Sequence, residues 1–374
     1  MRREPIFHLI FGLPALLVIT RFVWPLDLPL MAKAAVAVLL LIGSQYHFWS
    51  KLSSGSVLDP EFPRPLVILF NWLFGAIVFL ALLQLLLDGA TLLRMLVGGG
   101  VTVPDGIRYA MAAVASILAA IAVNQAIRVP PLKDVEIGIR GLPRQFDGYT
   151  ILQLTDLHIS RLFPVAWTHA VVKRSASLGI DLIVVTGDLI DGPLALRRSD
   201  VEPLRHLRAP DGVYVIPGNH EYYFGYRAWM EHYAALGMHV LENRHVVLDR
   251  DEGKLVLAGV TDRSARSGHA APDLAAALEG APPGVPVILL DHQPGEARRA
   301  AALGVGLQLS GHTHGGMIVG LDRLAARANA GLVSGRYELD GMTLYVNNGT
   351  ALWPGFALRL GRPSELTRIT LRVA

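Results

Sequence analysis

Cysteine is absent from the 374-residue chain, which excludes disulfide cross-links, thiolate zinc sites and cysteine nucleophiles. Charged residues are scarce and make up 17% of the sequence, against about 25% in an ordinary soluble protein. Hydrophobic residues reach 52%, which excludes intrinsic disorder. The sequence has no long Lys/Arg run, so we expect no nucleic-acid partner.

Charge and histidine are divided unevenly along the chain. Up to Arg128 there are nine Lys and Arg against six Asp and Glu, so this part carries the whole net charge of +3. Eleven of the 13 His residues come after it. The sequence therefore predicts two domains, a transmembrane domain over residues 1–130 and a second domain over residues 131–374.

Four apolar stretches lie in the first of these domains, and each approaches the ~20 residues that a helix needs to cross a bilayer. They run over residues 6–24, 28–49, 65–87 and 107–126. They predict an all-α region of four spans, although the first stretch could instead be a cleaved signal peptide. The segment 89–103, interrupted by charge and by three glycines, is interpreted as a loop or interfacial stretch, with a re-entrant segment as the alternative.

Basic residues flanking the predicted spans indicate the orientation in the membrane. With four spans, both chain ends lie on one side, together with Arg2, Arg3, Lys51, Arg64, Arg128, Lys133, Arg140 and Arg144. The other side holds Arg21, Lys33, Arg94 and Arg108. This excess predicts a multi-pass protein of the cell (inner) membrane with its C-terminal domain in the cytoplasm.

After residue 130, short β-branched runs alternate with helical stretches and Gly-rich turns, a pattern typical of an α/β domain. Five of the predicted strands are followed directly by His, Asp or Asn, at the strand ends where α/β sheets place their ligand sites. The five blocks are Asp156-Leu157-His158, Gly187-Asp188-Leu189-Ile190-Asp191, Gly218-Asn219-His220-Glu221, Asp291-His292 and Gly311-His312-Thr313-His314. One such block would be weak evidence, but five in order after five strands predict a metal site.

This ordered set resembles the calcineurin-like metallophosphoesterase superfamily, whose motifs are D-x-H, G-D-x-x-D, G-N-H-E/D, a single His and G-H-x-H. The resemblance covers about residues 150–315, and all five motifs are complete. The run GHTHGG and the preceding apolar stretches are similar to the membrane-anchored bacterial branch, although Met317 stands where many of its members have Gln. The resemblance implies an α/β fold of two mixed β-sheets, sandwiched together and flanked by helices.

The resemblance also implies a site with two divalent metal ions. Asp156, His158 and His314 would hold the first ion, whereas Asn219, His292 and His312 would hold the second, with Asp188 bridging both. Mixed imidazole and carboxylate ligands suit Mn, Fe, Zn or Co. Two such cations would generate a bridging hydroxide that attacks phosphorus.

Catalytic roles for His220 and Asp191 follow from the same resemblance. His220 would protonate the leaving oxygen or stabilise charge on it, and Asp191 would hydrogen-bond His220; alternatively, Asp191 only caps the following segment. Glu221 and Asp291 could orient ligands or be solvated turn residues. Tyr222, Tyr223 and Tyr226 could line a substrate groove or pack in the core.

These observations predict a membrane-anchored phosphohydrolase that acts on a phosphodiester or pyrophosphate bond, on a phosphate compound that could be lipid-linked. The expected partners are the lipid bilayer and this substrate, with no obligate protein partner. Two alternatives stay open. One is a phosphomonoesterase or phosphoprotein phosphatase; the other is a membrane sensor or transport module whose metal domain is not catalytic.

Overall fold

The computed structural model describes residues 4–100, 102–266 and 268–374, with side chains from residue 11 onward. The described chain divides into two compact units. The first comprises residues up to Ala126 together with Pro354–Leu358, and the second comprises Ile127–Trp353 and Arg359–Ala374.

The first unit is helical. Its helices are α1 (Glu4–Leu17), which continues as a π-helix (Val18–Val23), α2 (Leu30–Ser44), α3 (Tyr46–Ser54), α4 (Arg64–Leu96) and α5 (Asp105–Ile127). Within the described residues, α4 and α5 are long and apolar enough to cross a membrane. The pair α2 and α3 makes a third candidate only if the two are counted as one span, because they are bent by 54°.

Of the four predicted spans, the described residues support two or three. The stretch 28–49 is broken at Gln45, whose backbone leaves the helical region (φ −92°, ψ 24°). In the stretch 6–24, the apolar helix with described side chains, Phe11–Val23, is shorter than a span. Arg2 and Arg3, which entered the predicted orientation, lie outside the described residues.

The interpretation of segment 89–103 as a loop is wrong for its first half, because α4 continues without interruption to Leu96. At a rise of about 1.5 Å per residue, its 33 residues extend about 50 Å, well beyond the ~30 Å of a hydrocarbon core. Asp88 does not end the helix because its charge is compensated. Its carboxylate pairs with the Arg21 guanidinium at 3.1 Å and accepts a hydrogen bond from Gln84 at 2.8 Å.

Asn71 is a buried polar residue of α4, and the segment Pro354–Leu358 of the same unit supplies its hydrogen-bond partners. Its side chain accepts from the Ala357 N–H at 2.7 Å and donates to the Pro354 carbonyl at 2.9 Å. Phe356 of the same segment meets Phe74 edge to face. A polar residue buried in an apolar helix requires such partners, and here they come from a distant part of the sequence.

The second unit contains two mixed six-stranded sheets, as predicted from the family resemblance. The first has the order β1 (Leu132–Ile139), β12 (Leu366–Val373), β2 (Thr150–Leu154), β3 (Leu182–Thr186), β4 (Val213–Ile216), β5 (His239–Val240). The second has the order β10 (Gly335–Leu339), β11 (Met342–Val346), β9 (Leu307–Ser310), β8 (Val287–Leu290), β7 (Gly253–Gly259), β6 (Arg244–Arg250). Strands β2, β3, β4 and β5 are mutually parallel, as are β7, β8, β9 and β11.

The main core of this unit lies between the two sheets, because strands bury alternate side chains on one face. Ile151, Leu182 and Val184 of the first sheet share it with Ile288 and Leu309 of the second. Seven helices complete the unit: α6 (Val165–Ala176), α7 (Leu194–Val201), α8 (Asn219–Tyr223), α9 (Tyr226–Ala235), α10 (Leu274–Leu278), α11 (Ala297–Ala302) and α12 (Asp322–Ala328). Parallel strands bring their carboxyl ends to one edge of each sheet, which is where the five motif blocks lie.

Candidate metal centre

Loops after β2, β3, β4, β8 and β9 carry the predicted site residues, and hydrogen bonds hold these loops together. The N–H of Asp156 donates to the Gly187 carbonyl at 3.0 Å, and the N–H of His158 donates to the Asp188 carbonyl at 3.1 Å. The N–H of Gly311 donates to the His292 carbonyl at 2.9 Å. The loops therefore fix one another, and the sheets set their spacing.

Five of the seven predicted metal ligands have backbone φ angles in the left-handed region that non-glycine residues avoid. These are Asp156 (52°), His158 (43°), Asp188 (54°), His312 (69°) and His314 (50°). Each such residue costs about 1–3 kcal/mol and persists only where the surrounding structure enforces it. Strain concentrated at the ends of three strands, β2, β3 and β9, indicates a functional site.

Two motif glycines are required by close approach. Gly187 has φ 92°, and a Cβ there would lie 2.6 Å from the Gly218 nitrogen and 2.7 Å from Nδ1 of His292. A Cβ on Gly218 would overlap the Asp188 side chain. Any side chain at these positions would push Asp188 and His292 apart.

The predicted ligands converge in two groups. Asp156, His158 and His314 form one group, and Asp188, His292 and His312 form the other; within each group, the ligand atoms all lie within 4.8 Å of one another. In the first, Nε2 of His158 and Nε2 of His314 are 3.3 Å apart. In the second, Nε2 of His292 lies 3.2 Å from Oδ2 of Asp188 and 3.2 Å from Oδ1 of Asn219.

Asp188 lies between the groups. Its Oδ2 is 3.2 Å from Nε2 of His292 and 3.9 Å from Nε2 of His158. Its Oδ1 accepts the backbone N–H of His220 at 2.8 Å, which fixes the orientation of the carboxylate. Asp188 therefore lies within 4 Å of a histidine of each group.

The donor set fits divalent cations. The Nε2 atoms of His158 and His314 face each other at 3.3 Å. Two ring nitrogens at this distance interact favourably only if a proton or a cation lies between them. Nδ1 of His292 donates to the Thr186 carbonyl at 2.8 Å, which leaves its Nε2 free to ligate. Buried carboxylates and imidazoles of this kind are the ligands that Mn, Fe, Zn and Co accept.

The pKa values reflect a buried, highly charged cluster. Burial opposes ionisation of Asp188, but His292 and His220 outweigh it, and its pKa lies well below the usual value. Burial, reinforced by nearby His292, lowers the pKa of His312 to about 3. Asp188 is therefore a carboxylate and His312 a neutral imidazole at neutral pH, the protonation states that metal ligation requires.

Asp191 and His220 lie beside the two groups, and both are buried. Oδ1 of Asp191 contacts Nδ1 of His220, while Oδ2 of the same carboxylate lies 3.1 Å from Nδ1 of His158. Burial disfavours the charged form of His220, but Asp188 and Asp191 outweigh it and raise its pKa to about 9. Asp191 therefore contacts two histidines, the predicted ligand His158 and the predicted proton donor His220, whereas the sequence predicted only the contact with His220.

Arg197 and Arg359 support the loops of the site, although neither belongs to one of the five motif blocks. Arg197 of α7 is fully buried and donates from Nε to the Asp191 carbonyl at 2.8 Å. Arg359 is also fully buried and donates to the carbonyls of His314 at 3.0 Å and Ala351 at 3.1 Å. No motif or spacing marks Arg359, so only the tertiary structure could identify it.

Glu221 is a buried acceptor at the centre of the loops and is not a solvated turn residue. It accepts from the N–H groups of Gly218 at 2.7 Å, Asp188 at 3.1 Å and Leu189 at 2.8 Å, and from the Tyr233 hydroxyl at 3.1 Å. It therefore joins the block after β3 to the block after β4. Asp291, the other uncertain neighbour, is half-buried, and burial next to Asp262 raises its pKa to about 7.

We expect Glu221→Gln to weaken metal binding by about 10–100-fold, the range typical of residues that orient ligands. The amide would present an N–H₂ group to backbone N–H donors, so at least one of the four bonds is lost and Asp188 shifts. Metal titration of the purified protein measures the effect. The control is Glu231→Gln, an exposed carboxylate of α9. Equal affinity of both variants would show that Glu221 does not position Asp188.

Beside His220 there is a cavity of about 450 Å³ lined by Tyr222, Tyr223, Ser264, Arg266 and His269. The Tyr223 ring is about half exposed, and its centroid lies 5.3 Å from that of His220. Tyr222 instead stacks on Tyr226 at 4.2 Å. Tyr222 and Tyr223 therefore both line the cavity, as the groove interpretation expected, and none of the three tyrosines is buried in the core.

A calcineurin-like phosphoesterase family profile matches residues 149–316, which contain all five motif blocks. YkuE of Bacillus subtilis, an uncharacterized metallophosphoesterase, is 32% identical over 238 residues, which is 62% of this chain and 82% of YkuE. A transmembrane protein with metallophosphoesterase domain from Danio rerio is 33% identical over 272 residues, 70% of this chain and 62% of that protein. An uncharacterized metallophosphoesterase of Helicobacter pylori is 34% identical over 245 residues, 65% of this chain and 64% of that protein.

The alignments thus span about three fifths of the length of the vertebrate relative and most of YkuE. With the complete motif set, the two mixed sheets and the convergent Asp and His groups, they establish the family. The chain belongs to the calcineurin-like metallophosphoesterases, a family of metal-dependent phosphoesterases.

Proposed function

We propose that the protein is a membrane-anchored phosphohydrolase with a dinuclear metal centre, and that it hydrolyses a phosphodiester or pyrophosphate bond. The observation that carries the proposal is His220, held by Asp191 beside two groups of candidate metal ligands with Asp188 close to both. A metal-binding sensor would need the ligand groups but would have no use for an oriented acid next to them. Hydrolysis needs both.

Asp156, His158 and His314 would hold one divalent cation, and Asn219, His292 and His312 the other, with Asp188 shared. When bound, the two cations would supply water activation and neutralise charge on the phosphoryl oxygens. The buried ligand loops exclude bulk water from the reacting group, which strengthens every charge interaction there. Manganese is our first choice of metal for assay, among Mn, Fe, Zn and Co.

His220 would donate its proton from Nε2 to the leaving oxygen. Its Nδ1 faces Asp191, so the proton on Nδ1 is engaged and Nε2 points toward the Asp188 side of the centre, 3.8 Å from Oδ2. The raised pKa keeps the imidazole protonated at neutral pH. The cavity with Tyr223 and Arg266 adjoins His220 and would receive the leaving group, since that group departs on the side of its proton donor.

The candidate spans support a substrate at the membrane, such as a lipid-linked phosphate compound. The proposed location is the cell membrane with the phosphoesterase domain in the cytoplasm. With α4 and α5 as the two spans, the side of that domain carries the larger number of flanking basic residues: Lys51, Arg64, Arg128, Lys133, Arg140 and Arg144, against Arg94 and Arg108. A phosphomonoesterase acting on phosphoproteins is the second candidate, because the same centre can accept a monoester.

Turnover of a diester, a monoester and a pyrophosphate by the full chain in Mn²⁺ separates these functions. We expect the diester or pyrophosphate to be turned over at least about tenfold faster than the monoester. We also expect a bilayer-embedded phosphate ester to be preferred over its soluble headgroup analogue. Faster release from a phosphopeptide would favour the protein phosphatase, and equal rates on soluble and embedded substrates would remove support for a lipid-linked one.

A further inference from the structure

The first unit contains a cleft of about 510 Å³ that no part of the phosphoesterase reaction uses. It is bordered by the end of the π-helix, by the C-terminal turns of α4 and by the start of α5. Its polar wall consists of Arg21, Asp88 and Arg108, and its apolar wall includes Leu87, Leu92 and Met95. A polar wall facing an apolar one, at the ends of candidate membrane spans, suits an amphipathic molecule.

Arg108 is the unusual member of this wall, because it is a buried cation without a counter-ion. Its side chain is 8% exposed, and its Nη1 donates to the Arg21 carbonyl at 2.9 Å. Its Nε is buried and has no hydrogen-bond partner, and no carboxylate of the described residues lies within 4.0 Å of its guanidinium. Burying a charge without a partner is costly, so a structure that keeps one normally supplies an anion.

The nearby carboxylates are engaged elsewhere. Asp88 pairs with Arg21 at 3.1 Å and accepts from Gln84, so these two charges cancel. Asp105, one turn before Arg108, accepts the backbone N–H of Asp27 at 3.0 Å. The charged residues that line the cleft are Arg21, Asp88 and Arg108, so its lining carries a net charge of +1.

We propose that this cleft binds the phosphate of one anionic phospholipid, with Arg108 as its cationic partner. Arginine donates several parallel N–H bonds to phosphate oxygens and retains its charge in apolar surroundings. The acyl chains would lie along Leu92 and Met95, which are 57% and 51% exposed, and would continue over Leu93 and Leu96, at 67% and 74%. An inorganic phosphate would satisfy Arg108 but leave this apolar surface uncovered.

Native mass spectrometry of the delipidated full chain in detergent tests the proposal with three probes. They are phosphatidylglycerol, a diacylglycerol with the same acyl chains and inorganic phosphate. We expect one phosphatidylglycerol to be retained about 10–100-fold more tightly than diacylglycerol, the difference expected for charge-assisted hydrogen bonds. Equal retention of the two lipids would overturn the phosphate assignment, and equal retention of inorganic phosphate would overturn the lipid assignment.

Variants locate the site. Arg108→Leu should abolish the preference for phosphatidylglycerol, Arg108→Lys should keep part of it, and the control Arg94→Leu, which removes an exposed charge from α4, should leave it unchanged. Monodispersity and retained turnover of a soluble diester would show that each variant is folded. If Arg108→Leu does not fold, the wild-type lipid comparison and Arg108→Lys still decide the matter. Unchanged preference in folded Arg108→Leu would overturn the site.

Discussion

Asp188→Asn should abolish metal binding at both positions and, with it, phosphoesterase turnover. Asp188 belongs to one ligand group and lies next to the other, with Oδ2 3.2 Å from His292 and 3.9 Å from His158. The amide keeps the size of the side chain but removes its negative charge. Removing one partner from a buried charged cluster costs about 3–5 kcal/mol, which is about 10²–10⁴-fold in affinity.

Metal content by elemental analysis, together with turnover of bis-p-nitrophenyl phosphate, measures this effect on the detergent-purified protein. The wild type should retain about two metal ions per chain. Asp249→Asn is the matched control, since that carboxylate is exposed and pairs only with exposed Lys254. A wild type without metal would end the proposed mechanism, and an Asp188→Asn protein with two ions and normal turnover would show that the carboxylate is not shared.

His220→Ala should lower turnover by about 10²–10⁴-fold while sparing metal content, the range typical of acid–base catalysis. The loss should be largest for an alkyl ester, whose leaving oxygen needs a proton, and smaller for a p-nitrophenyl ester. His169→Ala, an exposed histidine of α6, is the control. Near-normal turnover of the alkyl ester by His220→Ala would show that another group supplies the proton.

Asp191→Asn separates a positioning role from a merely structural one. The acid form of His220 is lost as the pH rises through its pKa, which Asp188 and Asp191 raise to about 9 against the effect of burial. Removing the Asp191 charge lowers that pKa, so the alkaline decline in activity should move to lower pH. A uniform loss of activity at every pH would instead indicate that Asp191 only holds the loops together.

Much of the phosphoesterase domain was predictable because its candidate site residues occur in five short motifs of neighbouring residues. Each block follows a strand, and parallel strands deliver their carboxyl ends to one edge, so order along the chain becomes proximity in space. The two mixed sheets and the family could therefore be predicted before the structure. Asp156 and His158 were the simplest pair to predict, because they are two residues apart and follow the same strand, β2.

The helical unit was less predictable because hydropathy measures composition and not helix geometry. The stretch 28–49 is apolar throughout, yet the chain leaves the helical region at Gln45. Asp88 suggested the end of a span, but Arg21, 67 positions away, compensates its charge and α4 continues to Leu96. Such distant compensation is not visible in a window of neighbouring residues.

The sequence by itself determined the ligand types, their order and the class of chemistry, because these depend on residues a few positions apart. Only the tertiary structure decided how the ligands group, that Asp191 contacts both His158 and His220, and that Glu221, Arg197 and Arg359 hold the loops. Only the tertiary structure, too, left Arg108 buried without a counter-ion. Burial and the partners of a buried charge arise from segments far apart in sequence, so they exist only once the chain has folded.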